Sequence, residues 1–335
     1  MKRLNRSGIT LLETMVVIGV MLLMAALLIP AVQSAREAAH DVRCLSRLRQ
    51  LVSATSQYEV VHGMYPSTIK SVRGRFGDNL FSVHSALLPY LDEHALYDSL
   101  NFSRPLRQPY ASSDVDWIEQ STAARSRVSS FLCPADGGMA AFPSAVNYRA
   151  NCGVGPSMSR SAEFPDSNNG AFGWGRNRTK NSSIFDGLSR TAAFSERLMG
   201  TGRILNTRDR RDIHAAPIDY WPELRSADRF AALCAGLDAK ADAAGGYEYA
   251  GKYWLFSGLT YTLYNHVLPP NSSVMDCQAF VIIPAQGSAA ARSNHQGHVN
   301  VAFLDGSARA ISNSVSLAIW RAIGTRDMAE SLPAP

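Results

Sequence analysis

The stretch RSGITLLETMVVIGVMLLMAALLIP, residues 6–30, decides the fold because it joins a membrane-length apolar run to one carboxylate, Glu13. Residues 14–29 carry no charge, and with residues 9–12 the run reaches about 20 residues, enough to cross ~30 Å of hydrocarbon as a helix. A charge at the centre of a bilayer costs roughly 2.5–3.5 kcal/mol on insertion scales. A simple anchor gives no reason for keeping Glu13.

Basic residues mark one flank of this run. Lys2, Arg3 and Arg6 precede it without an acid among them, so the positive-inside rule predicts a cytoplasmic N-terminus and an external remainder. A removable secretory signal is the alternative. Such a signal requires two small residues at its cleavage site. The segment VQSAR matches this poorly, because Gln33 stands at the first of these positions and Ala35 at the second.

The charge of the rest of the chain is nearly balanced. The net charge is +5, but without the first eight residues 30 basic residues face 28 acidic ones, which leaves +2. We therefore expect no nucleic-acid partner. The hydrophobic content of 46% is typical of a protein with a packed core.

The hexapeptide GITLLE, from Gly8 to Glu13, resembles the G-F-[ST]-L-x-E cleavage and methylation motif of type IV prepilins and type II secretion pseudopilins. Ile9 stands where that motif usually has phenylalanine. The resemblance implies that a prepilin peptidase cuts between Gly8 and Ile9 and methylates the new N-terminus. It also implies a single-pass protein of a bacterial inner membrane, with a periplasmic or extracellular domain, that assembles with other pilin-like subunits and secretion machinery.

This processing explains why Glu13 is present. Cleavage creates a positive amine on Ile9, and in a filament of such helices the Glu13 carboxylate of one subunit can meet the amine of its neighbour. Each charge then neutralises the other in a medium where an unpaired charge is costly. The alternative is a simple anchor in which Glu13 reaches back to the lipid headgroups.

The apolar pattern resumes after Pro30 at spacings of three or four residues, which predicts one long helix to about Val61. We expect a leader at 1–8, a transmembrane helix at 9–30, its amphipathic continuation at 31–62 and an exported α+β domain at 63–335. The expected fold is pilin-like: the helix packs on an antiparallel β-sheet head that carries insertions. A short helix within 226–246 is expected to begin after Ser226 and to close at Gly245-Gly246.

Further blocks resemble one bacterial family that joins a prepilin-type N-terminus to a C-terminal H-x₉-DG signature and whose role is unknown. They are RCLSRLRQL (43–51), LLPYLDEHALYDSLNF (87–102), FLCPAD (131–136), YNHVLPPNSS (264–273) and the signature itself, His295 to Asp305 and Gly306.

The signature also has a direct structural interpretation. Alternating residues predict a β-hairpin at 295–312 with a two-residue Asp-Gly turn, in which both positions need positive φ. Nine intervening residues span about 30 Å when extended, which places His295 and Asp305 at opposite ends of the strand. A catalytic or metal-binding role for His295 with Asp305, or with His298, is the alternative.

The five cysteines show no C-x-x-C spacing, so a zinc or redox motif is not expected. An exported domain can hold disulfides, although their pairing cannot be deduced from the sequence. Cys234 with Cys277 is the first candidate pair and Cys44 with Cys133 the second, which leaves Cys152 unpaired.

No nucleophile elbow, H-E-x-x-H or P-loop occurs, so we expect a structural protein without enzymatic activity or cofactor. DSNNG at 166–170 resembles the start of a calcium loop, but no acid stands at its twelfth position. A membrane-tethered hydrolase or a carbohydrate- or metal-binding module is the alternative. Its sugar-binding face would be an aromatic cluster, although alternating spacing in a strand-rich region favours core or sheet surface. The cluster comprises Tyr247, Tyr249, Tyr253, Trp254, Phe256, Tyr261 and Tyr264.

Overall fold

The structure is a computed structural model, and it describes residues 11–67, 81–103, 106, 120–137, 142–156, 168–173, 179–202, 209–216, 226–237, 246–247, 249–279 and 286–327. The chain divides into two compact units, residues 1–42 and residues 43–335. We call the second unit the head.

The long predicted helix is present as α1, Leu11–His62, which continues through Pro30. Within the head, α1 buries one stripe of side chains at spacings of three and four residues, which is the spacing of one helix face. This stripe consists of Cys44, Leu48, Leu51, Val52, Ala54 and Thr55.

A five-stranded sheet forms the centre of the head, with the spatial order β5-β1-β2-β8-β9. All neighbours are antiparallel except β1 and β5, which are parallel. The strands are β1 (Tyr148–Asn151), β2 (Ala192–Glu196), β5 (Leu263–Tyr264), β8 (His298–Phe303) and β9 (Ala308–Ser312).

A smaller four-stranded sheet has the order β4-β3-β6-β7, with β3 and β6 parallel and the outer pairs antiparallel. Its strands are β3 (Ile213–Ala216), β4 (Gly246–Tyr247), β6 (Asp276–Ala279) and β7 (Gln286–Gly287). The expected α+β class is therefore confirmed, with antiparallel pairing dominant and one parallel pair in each sheet.

Short helices complete the described part of the head. Ser82, Ser226 and Ser316 cap α2, α5 and α6, because each side chain accepts a hydrogen bond from a backbone N–H in the first turn. The α-helices are α2 (Val83–Leu87), α3 (His94–Asp98), α4 (Ser121–Ala124), α5 (Ala227–Gly236) and α6 (Leu317–Ala322), and 3₁₀ helices lie at Leu88–Leu91, Ser129–Phe131 and Asn181–Ser183.

The strand β8 lies between two parts of the core. Val299, Val301 and Phe303 pack in one apolar cluster with Trp320, whereas Ala302 joins the larger cluster that contains Leu48. Both faces of β8 are therefore buried, and its polar residue, Asn300, is fully buried as well.

Two details of the sequence prediction are wrong. The hairpin turn has a positive φ at Gly306, +91°, while the described non-glycine residues with positive φ do not include Asp305. The Gly306 N–H donates to the Phe303 carbonyl oxygen, and the Phe303 N–H donates to the Ser307 carbonyl oxygen. The loop therefore has three residues, 304–306, and ends in Gly306 at positive φ, as in a G1 bulge. The helix α5 ends at Gly236, well before the predicted glycine pair.

Candidate functional site

The first predicted site residues belong to the N-terminal end of α1. Glu13 lies in the first turn of the helix, and Gly8 and Ile9 lie outside the described residues. The large apolar side chains of this run are exposed, from Leu11 at 78% to Ile29 at 57%. With a mean hydropathy of 2.8 over its most apolar 18 residues, α1 is long and apolar enough to span a membrane.

A second group of chemically active side chains lies inside the head. We call it the Cys-Glu-His cluster, and its members are Cys44 of α1, Cys133, Glu196 at the end of β2 and His295 in the loop before β8. Cys44 and Cys133 form a disulfide. The two sulfurs, a carboxylate oxygen and an imidazole nitrogen all lie within 4.8 Å of one another.

The distances within the cluster are short. Oε1 of Glu196 lies 3.1 Å from Nε2 of His295 and 3.6 Å from Sγ of Cys133. The Cys133 sulfur lies 3.9 Å from Nε2 of His295. The side chains of Glu196 and His295 are only 2% and 5% exposed, so water screens their interaction little.

Asn300 of β8 fixes the carboxylate of Glu196. Its backbone N–H donates to Oε2 at 2.9 Å, and its Nδ2 group donates to Oε1 at 3.3 Å. The neighbouring Ser195 hydroxyl donates to the Asn300 carbonyl oxygen at 3.1 Å. These bonds join β2 to β8 and leave Oε1 directed at His295 and Cys133.

The loop before β8 holds His295 in place. The His295 N–H donates to Oγ of Ser293 at 3.2 Å, and that hydroxyl donates to the His298 carbonyl oxygen at 2.6 Å. The rings of His295 and His298 stack, with centroids 5.2 Å apart and planes 9° from parallel. Gln296 and Gly297 at the tip of the loop are exposed, so the imidazole edge of the cluster lies near solvent.

The two ends of the H-x₉-DG signature have different partners. His295 contacts Glu196, whereas Oδ1 of Asp305 accepts hydrogen bonds from the N–H and hydroxyl of Ser307 at 2.9 and 2.7 Å. Asp305 and Gly306 thus shape the β8–β9 turn. No contact between His295 and Asp305 is present among the described residues, so the alternative of a joint site has no support there.

Arg197, which directly follows Glu196 in the sequence, belongs to a separate buried ionic network. Oδ2 of Asp276 accepts hydrogen bonds from Arg197 and Arg292, each at 2.8 Å, and all three side chains are fully buried. Burial raises the pKa of Asp276, but the charges of Arg292 and Arg197 outweigh it, and the net pKa lies below the usual value. The carboxylate is therefore ionised at neutral pH.

The structure contains both disulfides expected from the sequence. Cys44–Cys133 joins α1 to the segment after the 3₁₀ helix Ser129–Phe131, and Cys234–Cys277 joins α5 to β6. Cys152 is a buried free thiol, and burial raises its pKa to about 12, so it is neutral and unreactive at neutral pH.

Asp166, the first residue of the DSNNG segment, lies outside the described residues, so its interpretation as the start of a calcium loop stays a prediction. Arg326 donates hydrogen bonds to the carbonyl oxygens of Asn168 and Gly170 at 3.0 and 2.6 Å. A side chain on Gly170 would meet the Gly153 backbone nitrogen at 2.3 Å, so this glycine serves a close approach of two backbones.

The expectation that the aromatic cluster belongs to the core is confirmed for most of its members, against the alternative of a sugar-binding face. Five of the seven aromatic residues are at most 4% exposed and belong to the core, namely Tyr253, Trp254, Phe256, Tyr261 and Tyr264. Their sequence spacing reflects packing between the sheet and the neighbouring loops. They offer no exposed platform on which a sugar could stack.

Sequence reasoning missed Glu196 and Asn300 as site residues. The available signal was a carboxylate that ends the apolar strand AAFSE and an amide inside the apolar strand HVNVAF, because such polar groups need buried partners. Their partners lie about 100 residues away in the chain, and no local pattern identifies them.

Comparison with known proteins identifies the family but no characterised relative. No curated protein and no solved structure matches this chain. The model of one protein family, described as a protein of unknown function (DUF1559), matches residues 33–318, which is well over half of the chain. The chain therefore belongs to the DUF1559 family of proteins of unknown function.

Proposed function

We propose that this protein is a pilin- or pseudopilin-like structural subunit that assembles through α1 into a pilus or a type II secretion pseudopilus-like fibre. The observation that carries the proposal is Glu13, a carboxylate in the first turn of α1, which is followed by an uncharged run, residues 14–35, whose large apolar side chains are exposed. Processing after Gly8 by a prepilin peptidase, with methylation of Ile9, precedes assembly.

The physical basis is charge neutralisation within a bundle of helices. The new amine of Ile9 is positive, and the Glu13 carboxylate of a neighbouring subunit pairs with it in a medium of low dielectric constant. If one helix shifts along the bundle, both charges lose their partners. The pairing therefore also sets the register of the fibre, as buried polar residues do in coiled coils. The exposed apolar side chains of α1 supply the packing surface.

The proposed topology follows the basic residues at the N-terminus. Lys2, Arg3 and Arg6 remain in the cytoplasm, α1 crosses the inner membrane once, and the head lies in the periplasm or outside the cell. Two disulfides suit that location, because oxidising compartments preserve them. The partners are then the prepilin peptidase, other pilin-like subunits, secretion machinery and membrane lipid.

Glu13→Gln tests this function because it removes the charge and keeps the shape. We expect the variant to insert into the membrane as before but to yield no fibres in electron micrographs and no subunits in the sheared fraction. Glu37→Gln, which neutralises an exposed carboxylate of the same helix, is the matched control and assembles normally. Fibres of normal length and number from Glu13→Gln would exclude the pairing mechanism.

A further inference from the structure

We propose that Cys44, Cys133, Glu196 and His295 form a zinc site when the Cys44–Cys133 disulfide is reduced. The Cys-Glu-His cluster then exchanges a covalent link for a metal link at the same position. This inference concerns the head and is independent of the proposed assembly through α1.

The ligand types favour zinc. Two thiolates, one imidazole and one carboxylate give four ligands, the number that structural zinc sites use, and soft sulfur ligands disfavour calcium and magnesium. The four ligand atoms already lie within 4.8 Å of one another. They come from four separate segments of the head, so an ion bound there would link all four, whereas the disulfide links only the segments of Cys44 and Cys133.

The distances fit tetrahedral coordination. Bonds of about 2.3 Å to sulfur and about 2.0 Å to nitrogen or oxygen place sulfur ~3.5 Å from nitrogen or oxygen, and nitrogen ~3.3 Å from oxygen. In the structure, the Cys133 sulfur lies 3.6 Å from Oε1 of Glu196 and 3.9 Å from Nε2 of His295, and these two atoms are 3.1 Å apart. The Cys44 sulfur lies within 4.8 Å of the other three ligand atoms, and reduction frees it to separate from the Cys133 sulfur.

The surrounding residues hold these ligands as outer partners hold a metal site. Asn300 fixes the Glu196 carboxylate through both of its oxygens, and Ser293 accepts a hydrogen bond from the backbone of His295. The exposed loop residues Gln296 and Gly297 adjoin the imidazole, so an ion has a short route from solvent. The site therefore needs little rearrangement beyond cleavage of the disulfide.

The redox step balances with a phosphine as reductant. One phosphine and one water convert the disulfide into two thiols and a phosphine oxide, so phosphorus supplies the two electrons. Zinc then binds both sulfurs and releases their two protons to solvent. Glu196 joins as a carboxylate and His295 through Nε2.

The test uses the full-length protein in detergent under anaerobic conditions, with and without a water-soluble phosphine, followed by zinc chloride and removal of free metal. We expect one zinc per reduced chain and none per oxidised chain by elemental mass spectrometry. Cobalt(II) in place of zinc should show sulfur-to-cobalt charge-transfer absorption, which a purely structural role of these residues would not produce.

Variants distinguish zinc binding at this site from zinc binding by the other cysteines. His295→Ala and Glu196→Gln should each weaken zinc binding beyond the ~10–100-fold typical of outer-shell changes, and Asn300→Ala should fall within that range. Cys234→Ala with Cys277→Ala is the matched control and keeps the zinc.

Three results would overturn the proposal. They are equal zinc content in the oxidised and reduced protein, unchanged affinity in His295→Ala, and unfolding on reduction that zinc does not prevent. Near-ultraviolet circular dichroism reports the last of these and also shows whether each variant is folded.

Discussion

Arg197, directly after β2, donates a 2.8 Å hydrogen bond to Asp276 of β6, and this fully buried ion pair joins the five-stranded sheet to the four-stranded sheet. Its neighbour in the chain, Glu196, points into the Cys-Glu-His cluster. Successive side chains of an extended segment face opposite sides, so two adjacent charged residues supply two separate buried networks.

The first prediction concerns this ion pair. Asp276→Asn removes the carboxylate that the buried Arg197 and Arg292 share, and we expect it to lower the free energy of unfolding by about 3–5 kcal/mol. Urea unfolding at pH 7, followed by the fluorescence of the buried Trp254 and Trp320, measures this change.

Asp228→Asn provides the matched control for that prediction. Asp228 also pairs with an arginine, Arg321, at 2.7 Å, but its side chain is 77% exposed. We expect a loss below about 1 kcal/mol, because solvent screens an exposed pair. A loss for Asp276→Asn as small as that of the control would show that the buried pair does not stabilise the head.

The second prediction is a loss of stability in acid. Burial lowers the pKa of His84 to about 4 and that of His266 to about 3, so both are neutral in the folded head. In the unfolded chain they titrate near about 6.5, so between that pH and the folded pKa only the unfolded state binds the protons. Stability is therefore full above about pH 6.5 and falls by roughly 2 kcal/mol per histidine from pH 7 to pH 5.

His266→Asn tests this prediction. Nδ1 of His266 lies 2.7 Å from the Trp320 carbonyl oxygen, and an asparagine amide can donate the same hydrogen bond without titrating. We expect the difference in stability between pH 7 and pH 5 to shrink by roughly 2 kcal/mol, the contribution of one histidine, while the exposed His94→Asn leaves it unchanged. Asp212 acts in the opposite direction, because burial raises its pKa to about 6 and the folded state takes up its proton first. Equal stability of the unmodified protein at both pH values would contradict the prediction.

The third prediction concerns the Cys234–Cys277 disulfide, which bridges a sequence separation of 43 residues. In the chain-entropy model, opening a loop of this length costs about 4 kcal/mol, so the double alanine variant should be less stable by about that amount. Cys152→Ala is the matched control, since it removes a buried free thiol and costs about 1 kcal/mol. Similar losses in the two variants would show that the crosslink itself adds little.

The sequence predicted the elements that local patterns encode. The apolar run with its heptad-like continuation gave α1, and the alternating Val299, Val301 and Phe303 gave the β8–β9 hairpin. The cap by Ser226 follows from the same local chemistry, a side-chain oxygen that accepts from an N–H of the first turn. The form of the turn at Gly306 and the end of α5 at Gly236 differed from the prediction.

The candidate site was beyond such patterns. His295 was singled out from its signature, but its partner Glu196 lies 99 residues earlier and Cys133 lies 162 residues earlier. Asn300 looked like the outward residue of an alternating strand, because the sequence does not reveal that both faces of β8 are covered. The parallel pairing of β3 with β6 could not be predicted either, because it depends on contacts between segments far apart in the sequence.

Intact mass spectrometry of the protein from its native membranes tests the central claim most directly. The account predicts a chain that begins at Ile9 and carries one added methyl group on its amine. A chain that still begins at Met1 would contradict it and indicate an ordinary membrane anchor.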